Sequence, residues 1–500
     1  MRLFKQWRRS LQATALAVLT TTFLVQGWAT SPAQAEVNRY CQLSTADAEA
    51  KATLLQAAQQ GDAQAQQDYA AIVERHSAGL QSCRQSRWPR NQAVWLRLYP
   101  CDLQPGKLDA LMDRIVNLGY NVVYIEAFYN GQVLLPANEN RTAWPSVVQI
   151  EGYRDRDLLA EAIQKAHERD LKAYAWLFTL NFGYTYGQRA DRQQVLARNG
   201  RGLSSADYAG NGFSSSTDEV FVDPYSTQAQ EDYMRMLQAV LQRQPDGALF
   251  DYVRYPRGTG AGSVVSNVND LWIYGSAAQQ ALLRRATNNK GRELIERFLR
   301  RGYVTEGDIS QADQLYAGER EPLWQSRNPA QTTGPLPAAS VRRPRLQDEL
   351  WRLSVAHAIQ GVVDFLQMGA RAARQQNIPA GAVFFPEGNR AIGALGYDSR
   401  LQHWNRFPSW IERYPMSYAT CGNTGCIVEQ VQTVLQQTDR PQNVKPVLAG
   451  VWGRPVNNRP SLEDQMNVLE RAVPEVDTVS HFAFSWVDPE FERTRQFCRF

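Results

Sequence analysis

The chain is predicted to fold as an α/β protein, a (β/α)8 TIM barrel with an N-terminal helical hairpin and a large insertion after strand four. Three observations lead there. Eight short runs rich in β-forming residues recur between residues 93 and 485. Amphipathic stretches, apolar at spacings of three and four, lie between them. Strand–helix alternation implies parallel strands joined by crossovers, and eight such units suit a closed barrel. The rival is an open doubly wound sheet, and the count of eight argues against it.

Residues 1–35 come first. Arg2, Lys5, Arg8 and Arg9 stand there with no acid, Leu11 to Val25 is apolar, and Ser31-Pro-Ala33-Gln-Ala35 supplies an A-x-A cleavage pattern. This reads as a secretory signal peptide with the mature chain beginning at Glu36. The apolar run is shorter than the ~20 residues of a membrane span, so no stable membrane insertion is expected after cleavage. The protein is therefore read as secreted or periplasmic. Cys41, Cys83, Cys101, Cys421, Cys426 and Cys498 form an even set suited to an oxidising compartment. Fifteen pairings are open on sequence grounds, and the expected set is 41–83, 101–498 and 421–426. Zinc is set aside because there is no C-x-x-C and no His near a Cys.

Residues 36–90 read as a helical hairpin broken at Gly61-Asp62, with Leu54, Leu55, Tyr69, Ile72 and Val73 as its apolar positions. Residues 91–500 form the expected barrel domain. Its strands are Ala93–Tyr99, Asn121–Ala127, Lys172–Phe178, Gly247–Val253, Gly381–Pro386, Ile411–Met416, Lys445–Val451 and Asp477–Ser485. Helical stripes run through Leu108 to Leu118, Leu158 to Ala166, Tyr233 to Leu241, Leu350 to Leu366 and Gln465 to Ala472. Asp155 or Asp157 should cap the second of these. Residues 179–218 make a long loop. Residues 256–345 make the insertion, with one helix expected around Ala277–Arg301 and a Pro-rich exit at Thr333–Pro344. Both follow strands, so both should rise from the C-terminal face, where barrel enzymes carry their sites.

Three carboxylates follow apolar strand cores: Glu126 after strand two, Asp251 after strand four and Glu387 after strand five. An acid there is costly unless paired or used. Two carboxylates facing one cavity are the equipment of glycoside hydrolysis, one protonating the departing oxygen and the other attacking or activating water. Asp251 and Glu387, on neighbouring strands, are the expected working pair, Glu126 is the third carboxylate, and Arg254 is placed to partner Asp251. The aromatic residues Tyr129, Tyr225, Tyr255, Tyr418, Trp452 and Trp486 lie near strand ends and, with Arg254, are the expected substrate-binding set, since sugar rings stack on such side chains.

Phe250-Asp-Tyr-Val-Arg-Tyr-Pro256 resembles the D-Y-[IV]-R-[YF]-P signature of the glycosyl-hydrolase-like family 10 proteins, bacterial secreted TIM barrels. Val94-Trp-Leu-Arg97, Gly119-Tyr-Asn-Val-Val-Tyr-Ile-Glu126 and Val222-Asp-Pro-Tyr225 are similar to that family too. The resemblance covers roughly residues 90–490, with most of its specificity in the strand-four motif. It implies a TIM barrel hydrolysing a cell-wall or extracellular polysaccharide, with Asp251 as motif acid and Arg254 as motif base. Glu387 comes from strand position alone.

Other classes fit less well. Gly258-Thr-Gly-Ala-Gly262 follows Pro256 and precedes no immediate apolar helix, so it reads as a flexible loop and not a dinucleotide site. His167-Glu-Arg-Asp170 lacks a second zincin His, there is no G-x-S-x-G elbow, and His481 reads as a satisfied core residue. No cofactor or metal is expected. The chain has 54 Lys and Arg against 50 Asp and Glu, and removing residues 1–35 takes away four basic residues and no acid, which leaves the mature chain formally neutral. That excludes a nucleic-acid binder of the basic type. It leaves stacking and hydrogen bonding as the means of holding a polysaccharide or oligosaccharide. The alternative function is a non-catalytic glycan-binding or envelope-organising protein on a degenerate barrel.

Overall fold

The computed structural model describes residues 38–498 apart from 215, 330–333 and 420. The export signal read in residues 1–35 lies outside the described residues.

Each of the eight expected runs overlaps a strand: β1 (Asn91–Leu96), β2 (Val122–Tyr129), β3 (Lys172–Phe178), β4 (Gly247–Asp251), β5 (Ala380–Phe384), β6 (Glu412–Pro415), β7 (Val447–Ala449) and β8 (Thr478–Phe482). They lie in the order β6-β5-β4-β3-β2-β1-β8-β7, every neighbouring pair parallel. The ends of this order meet through parallel bridges of Arg413 with Val444 and Met416 with Val447. The Ser417 N–H donates to the Val447 carbonyl at 2.9 Å across the same seam. The result is a nearly closed (β/α)8 barrel.

The interior is filled by aromatic rings. Trp95 meets Tyr124 edge-on at 4.9 Å and Trp176 at 4.8 Å, with Tyr414 at 6.5 Å and Phe482 at 6.2 Å. Two glycines make room for this. A Cβ on Gly247 would stand 2.3 Å from the Tyr174 ring, and one on Gly381 would stand 2.4 Å from the Tyr414 ring. Successive strand side chains point to opposite faces, so the parity of Trp95, Tyr124, Trp176 and Gly247 sends Arg97, Glu126, Phe178 and Asp251 toward the same interior, nearer the C-terminal mouth.

The helices follow from capping and periodicity. In the N-terminal hairpin, α1 (Thr45–Gln59) and α2 (Ala63–Ser86) are separated by Gly61 at φ 93°. The Asp62 carboxylate then accepts from the Gln64 and Ala65 N–H groups at 2.9 and 3.0 Å and starts α2. The helix α3 (Lys107–Asn117) buries Leu108, Leu111, Met112 and Ile115, and α4 (Leu158–His167) is capped by Asp157. The helix α5 (Thr227–Leu241) buries Tyr233, Met236, Leu237, Val240 and Leu241.

The insertion departs from expectation in two places. The single helix expected over 277–301 is two, α6 (Ser276–Leu283) and α7 (Asn289–Arg301), because the Asn288 side chain accepts from the Gly291 N–H at 2.9 Å and begins a new helix. After α8 (Glu306–Leu315), the expected Pro-rich exit already lies inside α9 (Ala339–Gln375) from residue 339 onward, with Pro344 in its second turn. The crossover helix α9 buries its stripe from Leu350 to Leu366 and delivers the chain to β5. The last two barrel helices are α10 (Gly425–Gln436) and α11 (Leu462–Ala472).

The disulfides join Cys41 to Cys83, Cys101 to Cys498 and Cys421 to Cys426, which is the expected pairing. Three disulfides fit an extracellular or otherwise oxidising compartment. Among the described residues no helix is long and apolar enough to cross a membrane.

Candidate active site

At the mouth, β1 runs out into Arg97, whose guanidinium forks onto Glu126 of β2. Nε donates to Oε2 at 2.5 Å and Nη2 to Oε1 at 3.2 Å, the bidentate geometry in which Arg holds a carboxylate best. Glu126 is 1% exposed, whereas the Arg97 side chain is 40% exposed and lies over the Tyr129 ring at 4.5 Å. Asp251 ends β4. Its Oδ2 accepts from the Trp176 indole N–H at 3.1 Å and its Oδ1 from the Tyr252 N–H at 2.6 Å. The floor beneath is Trp176 and Phe482, 6.0 Å apart, and Tyr418 adjoins Phe482 at 5.7 Å.

Both carboxylates are raised, and Glu126 feels the Asp251 charge. Burial pushes Asp251 above the usual carboxylate range, the Glu219 charge adds to that, and the Tyr252 N–H, the Trp176 N–H and the Arg254 charge oppose it. Burial also pushes Glu126 up, with the Arg97 guanidinium pulling it back and the Asp251 charge raising it further. Burial and the Asp251 charge raise the Tyr418 phenol as well. A carboxyl group held protonated by its surroundings can donate its proton, and a neighbouring carboxylate can stabilise positive charge, which is the division of labour that glycoside hydrolysis needs.

The remaining expected residues divide. Glu387 stands in the turn after β5, beside β4 in the sheet. This turn is held by Gln402, which accepts from the Phe385 N–H at 2.9 Å, and by Trp404, which donates to the Pro386 carbonyl at 3.0 Å. One Glu387 oxygen, Oε2, is buried without a hydrogen-bond partner. Arg254 does not form the expected ion pair with Asp251. Tyr252 adopts φ 52°, a left-handed turn between them, and the guanidinium pairs with Glu219 at 3.4 Å and lies over the Tyr252 ring at 4.6 Å. It is 5% exposed, so it acts on Asp251 through its charge. Tyr129 and Tyr418 lie with the two carboxylates.

Three of the expected aromatic residues make their contacts elsewhere. Tyr255 is fully buried, its hydroxyl donating to the Ala358 carbonyl of α9 at 3.4 Å. Tyr225 stacks on His357 at 4.3 Å and donates to the His357 carbonyl at 2.7 Å, so it serves the contact with α9. Trp452 packs on the flank against Tyr40 and His481, at 5.0 and 5.3 Å, and donates to the Tyr120 hydroxyl at 3.4 Å. Trp486 follows β8 with Arg459 over its ring at 5.5 Å. Within Val222-Asp-Pro-Tyr225, Asp223 organises the insertion: its carboxylate accepts from the Tyr225 and Ala278 N–H groups, each at 2.9 Å, and burial raises its pKa to about 6.

Sequence reasoning left Arg97, Trp176, Tyr252 and Glu219 out of the site. Strand parity could have found the first two, since Arg97 is two residues after Trp95 and Trp176 pairs in register with Glu126. Glu219 sits in a long loop without periodicity and carried no signal. Among the described residues no group of three or more His, Cys, Asp or Glu side chains is arranged to hold a metal ion.

The profile of the family described as glycosyl hydrolase-like 10 matches residues 87–283, which contain β1 to β4, Glu126 and Asp251. No curated protein matches the chain. Among solved structures, the chain is similar to an exo beta-N-acetylglucosaminidase from Vibrio harveyi, with 9% identity over 81% of this chain and 55% of that one and a TM-score of 0.38. It is similar to an alpha-galactosidase from Lactobacillus brevis, with 9% identity over 85% and 42% and a TM-score of 0.36. It is also similar to the spore cortex-lytic enzyme of Bacillus megaterium, with 7% identity over 82% and 74% and a TM-score of 0.33. The chain thus spans about half the length of the Vibrio harveyi enzyme.

Proposed function

We propose that the protein is an exported glycoside hydrolase that cleaves a cell-wall or extracellular polysaccharide at the mouth of the barrel. The observation that carries this reading is Asp251. It is a half-buried carboxyl hydrogen-bonded by two neutral N–H groups, and its charge is felt at a second carboxylate, Glu126. In this reading Asp251 carries the proton. It transfers that proton to the glycosidic oxygen as the bond from that oxygen to the anomeric carbon breaks. Glu126, with both oxygens engaged by Arg97, faces the positive charge that develops on the sugar ring. Glu387, with its unpartnered oxygen in the turn beyond β5, takes the proton of the attacking water. Tyr129, Tyr418 and Trp486 supply rings for the sugar.

The test is a screen of the secreted protein against bacterial glycans with reducing-end detection, run beside Asp251→Asn, Glu126→Gln and Glu387→Gln. New reducing ends from the wild type, and a loss of about a hundredfold or more in each variant, are expected. Saturable glycan binding by a wild type that releases no reducing ends would instead make the barrel a binding protein.

A further inference from the structure

A second charged site lies away from the mouth, where α9 faces the segment 324–328. There a cavity of about 470 Å³ opens between Arg285, Trp324, Arg327, Glu349 and His357. Its wall is fixed: Ala286 bridges Trp324, and the Gln325 N–H donates to the Arg285 carbonyl at 2.8 Å.

The arginines of this cavity are not equivalent. Arg327 and Arg345 share Glu349, at 2.7 and 2.8 Å. Arg352 pairs with Asp348 at 2.9 Å. Arg285 has only neutral acceptors. Its Nε donates to His357 Nδ1 at 2.9 Å, its Nη1 to the Gln325 side-chain oxygen at 2.9 Å and its Nη2 to the Tyr225 hydroxyl at 3.4 Å. No carboxylate stands within ion-pair distance of Arg285 among the described residues. His357 cannot take up a compensating role, because its Nε2 donates to the Ala278 carbonyl at 2.9 Å, which leaves Nδ1 as the acceptor for Arg285. Burial and the Arg285 charge hold this imidazole neutral, with its pKa lowered to about 3. Arg285 is thus an oriented, uncompensated cation. Three of its guanidinium N–H donors are engaged, and the guanidinium has about two more to offer.

We infer that this cavity binds an oxyanion, a carboxylate or phosphoryl group either carried by an acidic saccharide or free in solution, with Arg285 as its fixed charge. Guanidinium is the side-chain group best matched to such oxyanions. The assignment to a saccharide substituent rests on the proposed function, but the oxyanion site does not. The mature chain is formally neutral, so this is a local field and not a property of the whole surface.

The test spares Arg285, whose loss would disturb His357 and Tyr225. Ala356 is exposed on α9 and lines the same cavity. Ala356→Glu and Ala356→Gln place side chains of equal length there, both well tolerated in helices, and they differ by one negative charge. Calorimetric titration of the full protein with glucuronate, inorganic phosphate and glucose at constant ionic strength reads the site. Saturable binding of glucuronate or phosphate, none of glucose, and affinity about tenfold or more lower in Ala356→Glu than in Ala356→Gln are expected. Glucuronate binding supports the acidic saccharide. Phosphate binding without glucuronate keeps the oxyanion site and removes the saccharide. No saturable binding of either anion, or equal affinity in the two variants, overturns the proposal.

Discussion

Two buried charged clusters sit at different places on the barrel, and they are built on opposite plans. Beneath the N-terminal hairpin, Asp113 receives Arg169 at 2.8 Å, Lys51 at 3.6 Å and the Tyr69 hydroxyl at 2.8 Å. Arg169 also reaches Asp109 at 3.1 Å, and Lys165 joins Asp109 at the same distance. Cations and acids alternate, and each finds an opposite partner. At the mouth, Arg97 pairs with Glu126, but among the described residues Asp251 has N–H donors and no ion pair, and Arg254 turns away to Glu219. A cluster that joins helices to a barrel closes its charges. The mouth keeps one carboxyl without an ion pair, as the proposed proton donor requires. The cavity around Arg285 stands between the two, mostly paired with one cation left over.

The largest expected effect breaks the first cluster. Arg169→Ala takes the best-placed cation from Asp113 and Asp109, leaving them Lys51 and Lys165, and should cost about 3 kcal/mol or more in urea unfolding. Opening the neighbouring Cys41–Cys83 bridge with a Cys41→Ser, Cys83→Ser double variant comes next, at about 2–4 kcal/mol. It should loosen the hairpin while glycan binding at the mouth persists below the unfolding transition. The smallest effects are the most diagnostic, because the two clusters should respond to pH with opposite signs.

Lys51 is depressed to about 8 by burial. The folded state therefore binds fewer protons than the unfolded state above that value, and the stability contributed by Lys51 rises from about pH 8 toward the free-lysine value near 10.4. Lys51→Met should flatten that rise. Asp251 is raised, so its contribution is fully present below the free carboxylate value of about 3.9 and is lost as pH climbs through the folded value. Asp251→Asn should be at least as stable as the wild type at pH 7, with the difference shrinking in acid. Unfolding midpoints measured across pH 3 to 10 check both slopes.

The barrel was legible because its signals are local. Each β-rich run overlaps a strand, and the apolar stripes bury the residues their periodicity marks. The site was less legible because it depends on where the chain turns. Asp251 and Arg254 look like partners in sequence, yet the left-handed Tyr252 between them separates their side chains. Tyr255 and Trp452 follow strands as expected, but one is buried under α9 and the other faces the flank, since proximity to a strand end does not decide which side of the wall a ring occupies. Arg97 obeyed a parity rule that was available from Trp95. Glu219, in a loop with no period, was readable only once the fold brought it to Arg254. The insertion's helix break at Asn288 belongs to the same class, a cap hidden inside an apolar run.

The central claim is that Asp251 is left unpaired by a cation because it works. The direct measurement is the rate of reducing-end release by Asp251→Asn beside its melting temperature at pH 7. The account predicts a rate reduced by about a hundredfold or more at a melting temperature equal to or above that of the wild type. An unchanged rate, or a variant that loses activity only because it melts lower, would contradict it.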